Sequence, residues 1–235
     1  MNPSQEHTQA VALQSHGRHA PTATDVMDTS ARRVLRNTHA LLSMTLLFSA
    51  GMAALSVSQG WPAPGLLLTL GGYFGLLFAV YKLRNSAWGL PAVFALTGFM
   101  GVTLGPMLTR TLAMPGGADT ITLALAATGA TFLAMSAWAT MSKRDFSFLG
   151  GFLFAGMVVA MVAGLAAYFM ESSALSLVVS GMVALLSAGL ILFETQQIVQ
   201  GGQTNYIMAT VNLYVSLFNL FTSLMSLLGF GSSNE

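Results

Sequence analysis

A carboxylate set inside an apolar run is the first chemistry this sequence offers. Glu194 lies in Leu190–Val199, LILFETQQIV, and it is the single charge between Glu171 and Glu235. A charged side chain in hydrocarbon costs about 3 kcal/mol on insertion scales unless it faces a protein interior or water. Glutamate is too short to carry its charge far along a helix toward headgroup water. Glu194 is therefore the leading candidate for function. The plainer alternative is that it sits about one turn from a helix end, reaches that water and does nothing.

Two sets of polar residues could work with it. Asn212, Ser216, Asn219, Ser223 and Ser226 step by four, three, four and three residues, which places them on one helical arc of about 80°. Ser180, Ser187 and Glu194 recur every seven residues, with Gln197 three positions further on. Each set is a stripe that must face protein or water. Either stripe could be interhelical glue at roughly 0.6 kcal/mol per hydrogen bond, or both could line a water-filled path for protons or cations. Facing each other, they predict a path closed on one side, with its carboxylate near one mouth.

Enzymatic chemistry finds little to work with. No cysteine is present, which removes disulfides, thiolate catalysis and cysteine metal sites. Three of the four histidines, His7, His16 and His19, fall in the polar N-terminal stretch, and His39 stands at the start of the first apolar run. There is no His-Glu-x-x-His, no pair of intramembrane aspartates and no phosphate-cradling loop. The expectation is no catalysis, no cofactor and no metal site. The formal charge of +1 and the lack of a basic patch also argue against a nucleic-acid partner.

The elements that must position these residues are apolar and long. Of 235 residues, 54% are hydrophobic and 7% charged, against about 25% charged in a soluble domain. The pattern predicts an all-α integral membrane protein, a bundle of seven transmembrane helices in contact with membrane lipids. The predicted spans are 39–58, 65–83, 90–109, 120–141, 146–169, 174–198 and 207–229, each near the roughly 20 residues that cross a bilayer. The breaks between them carry turn residues, among them Trp61-Pro62-Ala63-Pro64, Pro115-Gly116-Gly117, Glu171-Ser172-Ser173 and Gly201-Gly202. Residues 1–37 are polar and predict a disordered tail without a secretory signal. Residues 38–231 form the bundle, and 232–235 a short C-terminal tail.

Lysine and arginine counts set an expected orientation. With the N-terminus cytoplasmic, that side holds Arg18, Arg32, Arg33, Arg36, Lys82, Arg84, Lys143 and Arg144, and the other side only Arg110. Glu194 then lies near the cytoplasmic end of the sixth span and the C-terminus is periplasmic. Gly98, Gly101 and Gly105 on the third span, and Gly156, Ala160 and Gly164 on the fifth, read as close-packing faces.

Several stretches together resemble the Bax inhibitor-1 family. They are Val34-Leu35-Arg36-Asn37-Thr38, FALTGFMGVTLGPML from Phe94 to Leu108, KRDFSFLGG from Lys143 to Gly151, LFETQQIVQGGQTNYI from Leu192 to Ile207, and LYVSLFNLF from Leu213 to Phe221. The resemblance implies a seven-helix bundle with a central sixth or seventh helix. It also implies cation handling: calcium-leak members carry an aspartate on each of the last two helices and a basic latch at the cytoplasmic end of the second. Glu194 matches the first aspartate and Ser216 the second, while Lys82 and Arg84 lie near the latch position. One carboxylate in place of two departs from a calcium site, since calcium takes six to eight oxygens, usually from more than one carboxylate. A bacterial branch of the family, found in the inner membrane, is linked to regulation of a membrane-bound ATP-dependent protease and of the translocation machinery. The resemblance therefore implies a protease modulator, with a pH-sensitive calcium or proton leak as the alternative.

Overall fold

The computed structural model describes residues 23–142 and 146–232, with side chains over 30–142 and 146–230. Seven helices follow one another: α1 Ala23–Ser58, α2 Leu66–Leu83, α3 Gly89–Leu112, α4 Gly117–Met141, α5 Leu149–Phe169, α6 Ser173–Val199 and α7 Tyr206–Ser232. All seven are long and apolar enough to cross a membrane, and apart from the start of α1 their bounds lie within three residues of the expected spans. Large exposed side chains such as Leu67, Phe78, Phe152, Phe154 and Leu185 would be a liability in water. Against lipid they are ordinary surface.

One boundary differs from expectation. The polar composition before residue 38 predicts a tail to Asn37, yet α1 starts at Ala23 and runs unbroken for 36 residues. That is about 54 Å, well beyond a hydrocarbon core of about 30 Å. The reason is local: Ala31, Arg32, Arg33, Leu35 and Arg36 are good helix formers, Ala31 is buried, and Val34 and Leu35 pack on the core. The remaining tail residues, 1–22, lie outside the described residues, as do Lys143, Arg144 and Asp145 in the α4–α5 connection and the last three residues of the chain.

The bundle is arranged around α7, which packs against α6, α4, α1 and α3. Its Val211, Leu213, Tyr214, Leu217 and Leu220 are buried among Leu41 and Leu42 of α1, Val93 and Leu96 of α3, and Ile191 and Ile198 of α6. Helices α2 and α5 are peripheral, resting mainly on α3 and α6. The expected central role of a sixth or seventh helix thus falls to the seventh.

The α1–α3 contact explains the third span's glycines. A Cβ on Gly101 would collide with the Ser49 carbonyl, one on Gly105 with the Ser56 side chain, and one on Gly98 with the Phe48 ring. Pro106 lies inside α3 and has no N–H to give the carbonyl four residues back. That carbonyl belongs to Val102, and Ser56 Oγ of α1 donates to it at 3.0 Å. In lipid a freed carbonyl must find such a partner, so the helix breaker and the close approach are one arrangement. Deeper in the core, the Tyr214 hydroxyl meets Ser49 Oγ at 2.6 Å and donates to the Thr97 carbonyl at 3.3 Å, joining α7 to both helices. The glycines of α5 meet α6: Gly156 stands against Leu186 and Gly164 against Val179.

Candidate functional site

Glu194 and Ser216 meet. Antiparallel neighbours joined by a short connection pack side by side, and α6 and α7 do so along their length. Ser216 Oγ donates to Glu194 Oε2 at 3.2 Å, long for a hydroxyl–carboxylate bond. Ser216 is buried and Glu194 half-buried, so the charge is inside protein rather than lipid.

The carboxylate borders a cleft of about 260 Å³ between α6, α7 and the turn joining them, lined by Phe193, Glu194, Gln197, Gln203, Ala209 and Asn212 together with Gly202. The volume admits several water molecules at about 30 Å³ each. Two expected partners, Gln197 and Asn212, are on its wall. Gln203 is there too, and its backbone N–H is held by the Gln197 carbonyl at 2.9 Å. Gly202 is fitted to this turn, since a Cβ there would strike Gln197 Oε1. The lining offers one carboxylate and three carboxamides, a set suited to protons, water or a hydrated cation. No group of three or more His, Cys, Asp or Glu that could hold a metal exists among the described residues.

Beyond Ser216 the stripes continue inward without joining the cleft. Asn219 is half-buried, and Ser187 and Ser223 are buried. Ser187 Oγ has no hydrogen-bond partner among the described residues, whereas Ser180 and Ser226 return their protons to the carbonyls of Ser176 and Thr222, four residues back. At the opposite end Phe221 and Met225 of α7 pack with Ala124, Leu104, Met107 and Ile121. This cluster lies on the α3 and α4 side of α7, on the face opposite the polar stripe.

The two candidate latch residues are elsewhere. Lys82 is exposed, and the Arg84 guanidinium lies over the Tyr81 ring, 4.3 Å from its centroid. It is the Arg84 backbone that reaches the cleft's turn: Asn205 Nδ2 donates to the Arg84 carbonyl at 3.2 Å and to Asn85 Oδ1 at 2.9 Å. Asn205 Oδ1 in turn accepts from the N–H groups of Ile207 and Met208, the side-chain cap that a helix start needs. Gln196, also buried, accepts from the Phe146 N–H at 2.9 Å and so pins the start of α5's connection to the same end. Sequence reasoning missed Gln203, Gln196 and Asn205. For Asn205 a signal existed, an asparagine immediately before an apolar run; for the two glutamines none did.

Comparison with known proteins assigns the chain to a family. A family profile described as "Inhibitor of apoptosis-promoting Bax1" matches residues 31–234. The chain is 49% identical over 203 residues to "Modulator of FtsH protease YccA" of Escherichia coli K12, covering 86% of this chain and 92% of that protein. It matches "Inner membrane protein YccA" of E. coli O6:H1 to the same extent, and an uncharacterized protein of Pseudomonas aeruginosa at 46% identity, covering 86% and 91%. The matched stretch takes in all seven spans and both residues of the Glu194–Ser216 pair: this chain belongs to the Bax inhibitor-1 family.

Proposed function

We propose that this protein is a modulator of a membrane-bound ATP-dependent protease of the FtsH type, acting as a partner rather than as an enzyme. The observation that carries the reading is the 49% identity to the modulator YccA across 92% of that protein's length. The bundle suits the role, being closely packed around α7. The polar stretch before α1 is its cytoplasmic handle, since proteases begin at such termini, and the translocation machinery is a second candidate partner. Co-reconstitution of the chain with the host's FtsH in vesicles, followed by degradation of a membrane substrate, tests the reading. Modulation is expected with the whole chain and expected to be lost on deleting residues 2–22, which leaves every described helix intact. Unchanged degradation with the whole chain present would sink it.

The cytoplasmic placement of the N-terminus belongs to the same proposal. Arg32, Arg33, Arg36, Lys82 and Arg84 share the end of the bundle at which the α6–α7 turn lies, and Arg110 is at the other; an excess of basic residues marks the cytoplasmic side.

A second reading, a pH-sensitive leak for protons or calcium, is favoured by the cleft and its Glu194–Ser216 hydrogen bond. A latch role for Arg84 would require its guanidinium to leave the Tyr81 ring, whereas Lys82 is already exposed. Vesicle flux of protons, potassium and calcium across pH 5 to 8 decides it. The leak reading expects flux in the wild type and its loss in Glu194→Gln; equal flux, or none in either, rejects it.

A further inference from the structure

The turn between α5 and α6 carries a feature that neither reading uses. Glu171 adopts a left-handed backbone, φ +48°, in a helix ending where the Ser172 N–H reaches back to the Ala167 carbonyl at 3.2 Å. That position ordinarily holds glycine, or sometimes asparagine, because other side chains crowd the backbone there. Here it presents a carboxylate instead. Beside it is a groove of about 590 Å³ whose aromatic residues are Tyr168, Phe169 and Phe230 and whose polar residues include Glu171, Ser173 and Ser176. The Tyr168 and Phe169 rings meet edge to face, centroids 5.5 Å apart, and are 61% and 74% exposed.

The groove's level in the membrane follows from its elements. Glu171 stands between the ends of two spans, where hydrocarbon gives way to headgroups, and aromatic residues favour that boundary. The described charges at this end of the bundle are Arg110, Asp119 and Glu171, a negative balance that disfavours an anionic ligand. A carboxylate with hydroxyls and aromatic walls complements a cation that can donate hydrogen bonds, next to an apolar body.

We propose that this groove binds a phospholipid with a primary-amine headgroup, phosphatidylethanolamine in chemistry: the ammonium on the Glu171 carboxylate, the phosphate beside the Ser173 and Ser176 hydroxyls, the glycerol and first methylenes against Tyr168, Phe169 and Phe230. A primary ammonium donates three hydrogen bonds; its trimethylated counterpart keeps the charge and donates none. The site therefore distinguishes amine from choline lipids, which apolar solvation alone would not. It does not depend on the protease reading.

The test is native mass spectrometry of the full chain in detergent with equal amounts of dioleoyl phosphatidylethanolamine, phosphatidylcholine and phosphatidylglycerol. The wild type is expected to retain the ethanolamine lipid about three- to fivefold over the choline lipid, the scale of one exposed charge-assisted contact. Glu171→Gly removes the carboxylate while suiting the left-handed backbone, so the turn is kept and the preference is expected to vanish. Glu171→Asn, which also tolerates that backbone, serves as the second variant with the same expectation. Equal retention of the three lipids by the wild type would overturn the proposal, as would a preference that survives both substitutions.

Discussion

At the residue scale, the site rests on a charge that cannot be placed cheaply and on polar neighbours that accommodate it. Glu194 and Ser216 were legible in the sequence because an ionisable group in an apolar run has few tolerable surroundings, and a polar stripe on the next helix supplies them. Gln203 and Gln196 were not singled out, because they stand among other polar residues at a helix end, where polarity is expected and distinguishes nothing; Asn205 was missed although its place before an apolar run marks a helix cap. Asn205 is the most consequential of these. Asn205→Ala is expected to lose about 1–2 kcal/mol, because it uncaps α7 and frees the α2–α3 turn. Asn205→Asp retains the accepting oxygen that caps Ile207 and Met208 and loses the amide donors, so its loss is expected to be smaller. Thermal unfolding in detergent, followed by circular dichroism, orders the three proteins.

At the scale of elements, apolar run length and turn residues placed all seven spans, because a bilayer fixes how long each must be. The start of α1 was not legible: its first turns are polar enough to read as tail, and their helicity is an extension of a packed span. The α1–α3 pairing was legible as small residues on one face, but not the reason for its register. Ser56 answers the Val102 carbonyl freed by Pro106, a link across 46 residues of sequence that no local pattern reveals. Ser56→Ala is expected to cost about 1–3 kcal/mol by leaving the Val102 carbonyl unpaired in an apolar setting. Gly101→Val, which drives a side chain into the Ser49 backbone, is expected to cost at least as much, about 2–3 kcal/mol. Gly51→Ala, on α1 where an added Cβ meets nothing, is expected to change stability by less than about 0.5 kcal/mol. Denaturation in mixed micelles compares the three.

For the whole molecule, the loops sort into two sets. The Asn205 bonds join the α2–α3 turn to the α6–α7 turn, Gln196 brings in the α4–α5 connection, and Thr210 Oγ1, 3.4 Å from the Thr38 carbonyl, adds the N-terminal part of α1. The chain has no cysteine of its own, so single cysteines report sidedness without background. Cysteine at Asn85 or Gln203 is expected to be protected from an impermeant thiol reagent applied outside spheroplasts, and cysteine at Trp61 or Ser173 to react. The reverse pattern would invert the proposed orientation while leaving the fold untouched.

The helix at the centre of the bundle is also made after the other six. Six helices leave the ribosome and enter the bilayer before α7 exists, and during that interval the carboxylate of α6 has no Ser216, Tyr214 has not joined α1 to α3, and the core faces of four helices have no common partner. Assembly is therefore held back until α7 has been made, rather than growing helix by helix from the N-terminus. A nascent chain stalled after α6 should look like damaged membrane protein to the cell's own surveillance. A chain ending at Gly202 is expected to insert yet decay much faster than the full chain in a pulse–chase measurement, and co-expression of α7 as a separate segment is expected to slow that decay.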